Sequence, residues 1–251
     1  MRRLLNNMEA KNYKIYAIIP ARGGSKSIPR KNIKILAGKP MIAYSIEEAK
    51  KSKYINRIIT TTDDQEIAET AKRYGSEIPF MRPKELAEDA TLDLPVFQHC
   101  LKWLKENEGE TPEIVVHLRP TAPLRKVEHI DLGIKIMLKN WDRAGAVRSV
   151  TKVGAHPLKM WGLESDKLLP FIPEKVYQIK EPYNMPRQKL PKVFIQNGSV
   201  DIIKSKMIME QNSMTGKNIF GFEMKREDSV NVDNILDFKM AETLMKERLK
   251  R

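Results

Sequence analysis

Short apolar, β-branched runs that alternate with helical periodicity constrain this chain more than any other feature. The run YKIYAIIP at 13–20 has the character of a buried strand and ends in a proline followed by a glycine pair. Ile42, Ile46 and Ala49 then recur at helical spacing, and INRIITTT at 55–62 returns to strand character. Asp63-Asp64-Gln65-Glu66 opens a helix that turns Ile67, Ala71 and Tyr74 inward and stops at Gly75. A helix near 93–106 carries Phe97, Leu101 and Leu104 on one stripe, and a strand at 113–119, a helix near 126–139 and a strand at 144–151 continue the pattern. Such alternation predicts an α/β fold: a single, mostly parallel sheet with helices on both faces.

The alternation breaks over 154–192, which holds six prolines and no sustained period. Strand-like pieces resume at 193–204 and 218–224, and an amphipathic helix of about 234–249 closes the chain. The expected organisation is an α/β domain over 13–153 and 193–251, an irregular arm over 154–192, and a disordered extension over 1–12 in which Met8 is an alternative start.

At 251 residues the chain is long enough to bury a core without disulfides or a structural metal. Cys100 is the single cysteine, which suits a reducing compartment. No apolar run reaches the roughly 18–20 residues of a membrane span, and the basic start leads into no signal-like stretch, so a soluble, cytoplasmic protein with no membrane partner is expected. The net charge of +13 raises nucleic acid as a partner, but its distribution argues otherwise. Residues 1–34 hold nine basic and one acidic side chain, and residues 239–251 hold five and two. The 204 residues between carry 31 basic and 29 acidic side chains, an ordinary mixed surface with no basic stripe.

The excess centres on the loop Pro20-Ala21-Arg22-Gly23-Gly24-Ser25-Lys26, at the end of a buried strand where open α/β sheets place their ligands. Adjacent glycines let backbone N–H groups approach a bound group, while Arg22, Ser25 and Lys26 add charge and a hydroxyl, a combination suited to a polyphosphate. Neither GxxxxGK[ST] nor GxGxxG is present. A Gly turn with solvated basic residues is the alternative. Arg30, Lys31 and Asn32 follow closely, so four cations (22, 26, 30 and 31) gather at one end of the sheet, an arrangement that calls for an anion.

The segment ARGGSKSIPRKNIKILAGKPMIAYSIEEA resembles the N-terminal signature of the CMP-sugar-acid synthetases, the acylneuraminate cytidylyltransferases. TTDDQEIAETAKRYG, MRPKELAED, HLRPTAPLR, HPLKMW, PRQKLP, QNGSVDI and DSVNVDNILDF match in the same order over nearly the whole chain. The resemblance implies a Rossmann-like nucleotidyltransferase sheet with a small irregular or β dimerisation arm, hence a homodimer. It implies that Ala21, Arg22, Gly23, Gly24, Ser25, Lys26, Lys31, Asn32 and Arg82 bind the nucleotide, Asn32 facing the cytosine. Arg119, Thr121, Lys159, Arg187, Gln196 and Asn197 are implied at the sugar acid. A surface arginine is the competing role for Arg82, as is an Asn-Gly turn between strands for Asn197-Gly198. Asp63 and Glu66 have capping-box spacing and are expected to cap a helix. Arg119 stands where some members carry Gln, and a cation there could meet the acid's carboxylate. Asp201 stands where some carry Tyr, which leaves the choice of sugar acid open.

The family places two aspartates, two residues apart, where this chain has Asn231 and Asp233. Alternation puts both side chains on one face, and Mg²⁺ (or Mn²⁺) needs only one or two protein oxygens beside those of a triphosphate. Asp233 or Asn234 is equally suited to cap the last helix. The four histidines show no zinc-ligand spacing with Cys100 or with one another, and His99, Cys100 and His117 are expected to pack in the core or at its rim.

The resulting expectation is an enzyme that transfers CMP from CTP to the anomeric hydroxyl of a 3-deoxy-2-keto sugar acid, sialic acid or a related nonulosonate, with release of pyrophosphate. Arg22, Lys26 and Asp233 are its expected catalytic residues. Its rivals are a nucleotidyltransferase for another sugar or sugar phosphate, such as a CMP-Kdo type, and a nucleotide-sugar-binding homologue without catalysis. A nucleic-acid-binding protein ranks last, since no aromatic and basic residues interleave as base stacking needs.

Overall fold

A computed structural model of the chain describes residues 13–250. The extension expected at 1–12, with Met8, lies outside the described residues. Six strands form the central sheet: β1 Ile15–Pro20, β4 Arg57–Thr61, β5 Ile114–His117, β6 Ala146–Lys152, β9 Phe194–Lys204 and β10 Ile219–Glu223. Their order is β10-β6-β9-β5-β1-β4. β1 runs parallel to β4 and β5, and β10 to β6, whereas β9 is antiparallel to both its neighbours. The sheet is thus mostly parallel, as the alternation predicts.

Buried strands need apolar residues on both faces, and period-2 alternation supplies them. Ile15, Ala17 and Ile19 of β1 face one way, against Ile42 and Ile46 of α1 (Met41–Lys51), Ile67 of α2 (Gln65–Tyr74), and the neighbouring core residues Ile130 and Ile134 of α4 (Val127–Lys139). Tyr16 and Ile18 face the other way, into a cluster with Phe97, Cys100 and Leu101 of α3 (Asp93–Glu108) and Met207 and Ile208 of α6 (Ser205–Met209). A third cluster packs the last helix, α7 (Ile235–Leu249), through Phe238, Ala241 and Met245, with Ile28, Leu36, Met41 and Leu124. The hairpin β2 (Ile35–Leu36) and β3 (Lys39–Pro40), too short to show a period, carries Leu36 into that cluster.

One helix start differs from expectation, and another is settled between its two candidates. Asp64, not Asp63, caps α2: its Oδ1 accepts from the Ile67 N–H at 3.0 Å, and Gly75 closes the helix with φ +94°. Asn234 caps α7 in a capping box with Asp237, which leaves the Asp233 side chain outside the cap.

Residues 153–193 add no strand to the central sheet. They form the hairpin β7 (Trp161–Glu164) and β8 (Lys167–Pro170), the one-turn helix α5 (Glu174–Tyr177) and three 3₁₀ turns. Leu163, Leu168, Phe171 and Val176 are exposed on this arm, and the Trp161 ring leans on Tyr183 with centroids 4.6 Å apart. No helix among the described residues is long and apolar enough to cross a membrane.

Candidate active site

β1 and β5 lie side by side, and the chain leaves them toward opposite edges of the sheet, β1 to β4 and β5 to β6. A crevice opens at their carboxyl ends for that reason. It holds a cavity of about 550 Å³ lined by Arg22, Ser25, Lys26, Lys31, Asn32, Arg82, Asp89, Asp93, Arg119 and Thr121. The loop after β1, the PKELAED segment, and the turn after β5 are thereby brought together from three distant stretches of sequence.

The loop is tied from beneath. Asp63 accepts the Gly23 N–H at 3.0 Å, and Asn32 donates to the Arg22 carbonyl at 2.9 Å. A Cβ on Gly23 would stand 2.7 Å from Asp64 Oδ2, so this glycine is required by packing. At Gly24 nothing lies within 4 Å of such a carbon, and the backbone there is open to a ligand. Ala21 is buried, its N–H bonded to the Thr61 carbonyl, and contributes backbone only.

The four gathered cations do not share one fate. Arg30, at φ +55°, turns toward the start of α2, where it pairs with Asp64 and Glu66. Arg22 pairs with Asp89 at 2.7 Å and Lys26 takes the other oxygen of the same carboxylate. Lys26 first and Arg22 second hold the Asp89 carboxyl below its usual range. Lys31 carries no ion pair among the described residues; burial pushes its ammonium down, opposed by the nearby Asp233 carboxylate. The anion that the cluster called for is therefore supplied in part by the chain's own carboxylates.

Arg82 is 6 % exposed, which sets aside a surface role. Its Nε donates to Thr61 Oγ1 at 3.1 Å and its Nη2 to the Thr61 carbonyl. Burial without an ion-paired carboxylate lowers its pKa to about 10.

A second cavity of about 530 Å³ adjoins the first, and Arg119 and Thr121 line both. Its other walls are Thr151, Ile195, Gln196, Asn197, Gly198, Ser229, Asn231 and Asp233. Arg119 is not free there: Nη2 meets Asp93 at 2.8 Å and Nη1 meets the buried Asp201 at 2.9 Å. Burial opposes its charge, but those carboxylates outweigh burial and hold the guanidinium above its usual range. Asp201 also sits 3.5 Å from Arg148 Nε. It therefore serves as a buried counterion beneath the cavity and is not one of the cavity's lining residues.

Gln196-Asn197-Gly198 does not form a turn between strands. It lies inside β9, where the pairing with β6 shifts between Arg148 and Val150 and Gly198 takes φ +62°, a bulge in one continuous strand. The Asn197 amide is consumed internally, accepting from Ser149 Oγ at 2.6 Å and donating to Ser229 Oγ at 2.9 Å. Gln196 accepts from Arg148 at 3.0 Å.

Asn231 and Asp233 share a face, as alternation requires, and Asn231 Nδ2 donates to Asp233 Oδ2 at 2.7 Å. Asn231 Oδ1 is buried with no hydrogen-bond partner. An orphaned carbonyl oxygen beside a carboxylate fits a hard cation that takes its remaining ligands from phosphate and water. No cluster of three or more His, Cys, Asp or Glu suited to a metal occurs among the described residues.

Lys159 and Arg187 line neither cavity. Arg187 donates to the carbonyls of Gly154 and Val153 and borders a separate pocket with Lys152, Phe194 and Arg226. His117 is fully buried 4.6 Å from the Phe97 ring, and burial drives its pKa well down. Cys100 is buried too, its thiol pushed up to about 12 by burial.

Sequence reasoning missed two residues here. Arg125, fully buried, donates to the carbonyls of Arg119 and Ala122 at 3.1 Å and to Ser45 Oγ at 2.8 Å, which fixes the turn after β5. The Thr121 carbonyl in that turn accepts the Val232 N–H at 2.7 Å, so the Asn231–Asp233 pair hangs from it. Burial lowers the Arg125 pKa to about 9. Asp89 is the other; both stand inside segments that carry the resemblance, HLRPTAPLR and MRPKELAED, but nothing in their spacing announces their partners.

Fold and site together define an α/β protein with a cationic strand-end cleft that joins a second, polar cavity. The cytidylyltransferase family model matches residues 16–159. A CMP-N,N'-diacetyllegionaminic acid synthase of Campylobacter jejuni is 34 % identical over 92 % of this chain and 94 % of its own length. A pseudaminic acid cytidylyltransferase of Campylobacter jejuni is 30 % identical over 91 % and 95 %. Among solved structures, a CMP:2-keto-3-deoxy-manno-octonic acid synthetase in complex with CTP superposes with a TM-score of 0.65 at 16 % identity, covering 94 % of this chain and 99 % of its own, a likeness of fold. The chain belongs to the cytidylyltransferase family.

Proposed function

We propose that this chain transfers CMP from CTP to the anomeric hydroxyl of a 3-deoxy-2-keto sugar acid of the nonulosonic class, releasing pyrophosphate. The observation that carries the proposal is the joint between the two cavities: Arg119 and Thr121 belong to both, so a nucleotide in one and an acid in the other would meet there. The names of the relatives, legionaminic and pseudaminic acid enzymes at similar identity, support the class of acid without selecting one member.

In this mechanism the sugar hydroxyl oxygen bonds to the α-phosphorus as the bond to the β-phosphate oxygen breaks. The hydroxyl proton passes to solvent. Such transfer needs positioning and charge neutralisation more than covalent chemistry. Arg22 and Lys26 neutralise the departing pyrophosphate, with Ser25 and the open backbone at Gly24 beside them. Lys31, Asn32 and Arg82 hold the nucleotide. Asn231 and Asp233 would hold Mg²⁺ (or Mn²⁺), which when bound supplies further charge neutralisation on the phosphates. Thr121, Gln196 and Arg119 face the acid, Arg119 as an already neutralised guanidinium that donates hydrogen bonds.

Lys159 and Arg187, which line neither cavity of this chain's cleft, would serve the acid if the arm reaches the cleft of a second copy. The exposed apolar residues of the arm support such a homodimer. A CTP-consuming reaction and a single thiol suit the cytoplasm.

The test is pyrophosphate release assayed with each nucleoside triphosphate, with Mg²⁺, across a panel of octulosonic and nonulosonic keto acids. Release with CTP and a nonulosonate is expected. Release only with a sugar phosphate or another nucleotide would move the assignment within the family's chemistry. No release with any pair would make this a binding homologue without catalysis, the reading that Asn231 in place of a carboxylate favours.

A further inference from the structure

The two cations that serve the triphosphate both rest on one carboxylate. Asp89 Oδ1 accepts from Arg22 at 2.7 Å, and Asp89 Oδ2 meets the Lys26 ammonium, so each oxygen of one side chain is committed to one of the two groups. A phosphate presents two oxygens to a pair of cations in the same way.

We propose that Asp89 is an internal stand-in for the triphosphate, an affinity-determining residue that CTP displaces on binding and that returns to Arg22 and Lys26 as pyrophosphate leaves. The inference rests on the assignment of this loop to the triphosphate. Asp89 lies on an exposed stretch whose ends are fixed: Arg82 N–H bonds the Thr62 carbonyl at 2.7 Å on one side, and α3 begins at Asp93 on the other. Between them Glu88, Asp89 and Ala90 are exposed and few bonds hold them, the Thr91 N–H to Glu88 carbonyl contact at 3.2 Å among them. A segment so lightly held moves at small cost. The remaining cations of the cavity need no such exchange: Arg82 is bonded to backbone carbonyls, Arg119 keeps Asp93 and Asp201, and Lys31 has no ion pair among the described residues to give up.

Two consequences follow from the exchange of partners. The cations never stand unpaired before substrate arrives, so the loop keeps its shape. Binding of any polyphosphate is weakened by the two ion pairs it must replace. Exposed pairs of this kind are individually weak, so together they tune affinity by roughly three- to tenfold.

The experiment is calorimetric titration of pyrophosphate, and of CTP with Mg²⁺, into the full chain and its Asp89→Asn and Lys26→Ala variants. Asp89 is exposed and caps no helix, so Asp89→Asn should fold as the parent does, which circular dichroism checks. Pyrophosphate should bind Asp89→Asn roughly three- to tenfold more tightly than the parent, and Lys26→Ala more weakly. If the parent binds and Asp89→Asn binds equally or more weakly, Asp89 merely positions the cations and the stand-in role falls while the triphosphate assignment stands. If pyrophosphate and CTP bind neither the parent nor Asp89→Asn, the triphosphate assignment fails and takes this inference with it.

Discussion

At the residue scale, the site separates side chains that carry charge to the ligand from those that hold them in place. Lys26 is mostly exposed and Asp233 lies outside the α7 cap, so neither supports the fold. Replacing either with alanine should lower kcat by roughly 10²–10³-fold, the scale of losing one electrostatic stabiliser of a transition state. Thermal melting should be unchanged, and steady-state assay beside calorimetry checks both halves. Gly23→Ala should behave differently, because the added carbon collides with Asp64. We expect a loss of about 1–3 kcal/mol in urea unfolding together with weaker CTP binding. Asp64 itself gives a pH prediction. Arg30 chiefly, then the Ile67 N–H, holds its carboxyl below the usual range, so the unfolded chain takes up the proton first as pH falls. The stabilisation is full above about pH 4 and lost as pH falls through the lower folded value. Asp64→Asn keeps a capping side chain but drops the charge, so it should cost about 0.5–1 kcal/mol at neutral pH. That difference should shrink as urea unfolding is repeated at successively lower pH below about 4.

At the element scale, strands and helices with a complete apolar period were legible, and elements defined by a partner were not. β1 and α1 declare themselves through Ile15, Ala17, Ile19, Ile42 and Ile46, each apolar because it must be buried. β9 is legible as the strand-like run at 193–204, but Asn197 and Gly198 within it also read locally as a turn, and only pairing with β6 shows that the strand runs through them as a bulge. The hairpin of the arm escaped for a related reason. Trp161, Leu163 and Leu168 show no inward face because this chain gives them little to pack on. That exposure makes the arm the element whose removal tests assembly. Deleting 156–190 should convert the proposed dimer to monomers in light scattering while the central sheet keeps its circular dichroism signal. A dimer that survives the deletion would refute the arm's role. Site positions were legible where the strand-end rule applied, as for Arg22, Lys26 and Thr121. The partners of Arg22 and Arg119, Asp89 and Asp201, were not, since long-range ion pairs leave no spacing in a sequence.

At the scale of the whole molecule, the carboxyl ends of β1, β4 and β5 and the β6–β9 ribbon feed one continuous cleft, so a ligand there bridges segments from residue 22 to residue 233. The net charge of +13 takes its meaning from this arrangement. Among the described residues, much of the local excess at 22–31 sits at one cavity, already half-neutralised by carboxylates, which suits a single polyphosphate better than an extended nucleic acid. Ligand binding to the native state alone raises stability by RT ln(1 + [L]/Kd), about 2.7 kcal/mol at a concentration of 100 Kd. For a chain of this size that is a rise in Tm of roughly 5–10 °C. CTP with Mg²⁺ should therefore shift melting by that amount. Because the Asn231–Asp233 pair hangs from the turn that carries Thr121, Asp233→Ala should shrink the shift by weakening the metal-dependent part of binding. Repeating the melt with EDTA in place of Mg²⁺ isolates that part: the parent should fall to the variant's shift, and the variant should be insensitive to the chelator. An equal fall in both would place the metal elsewhere than at Asp233.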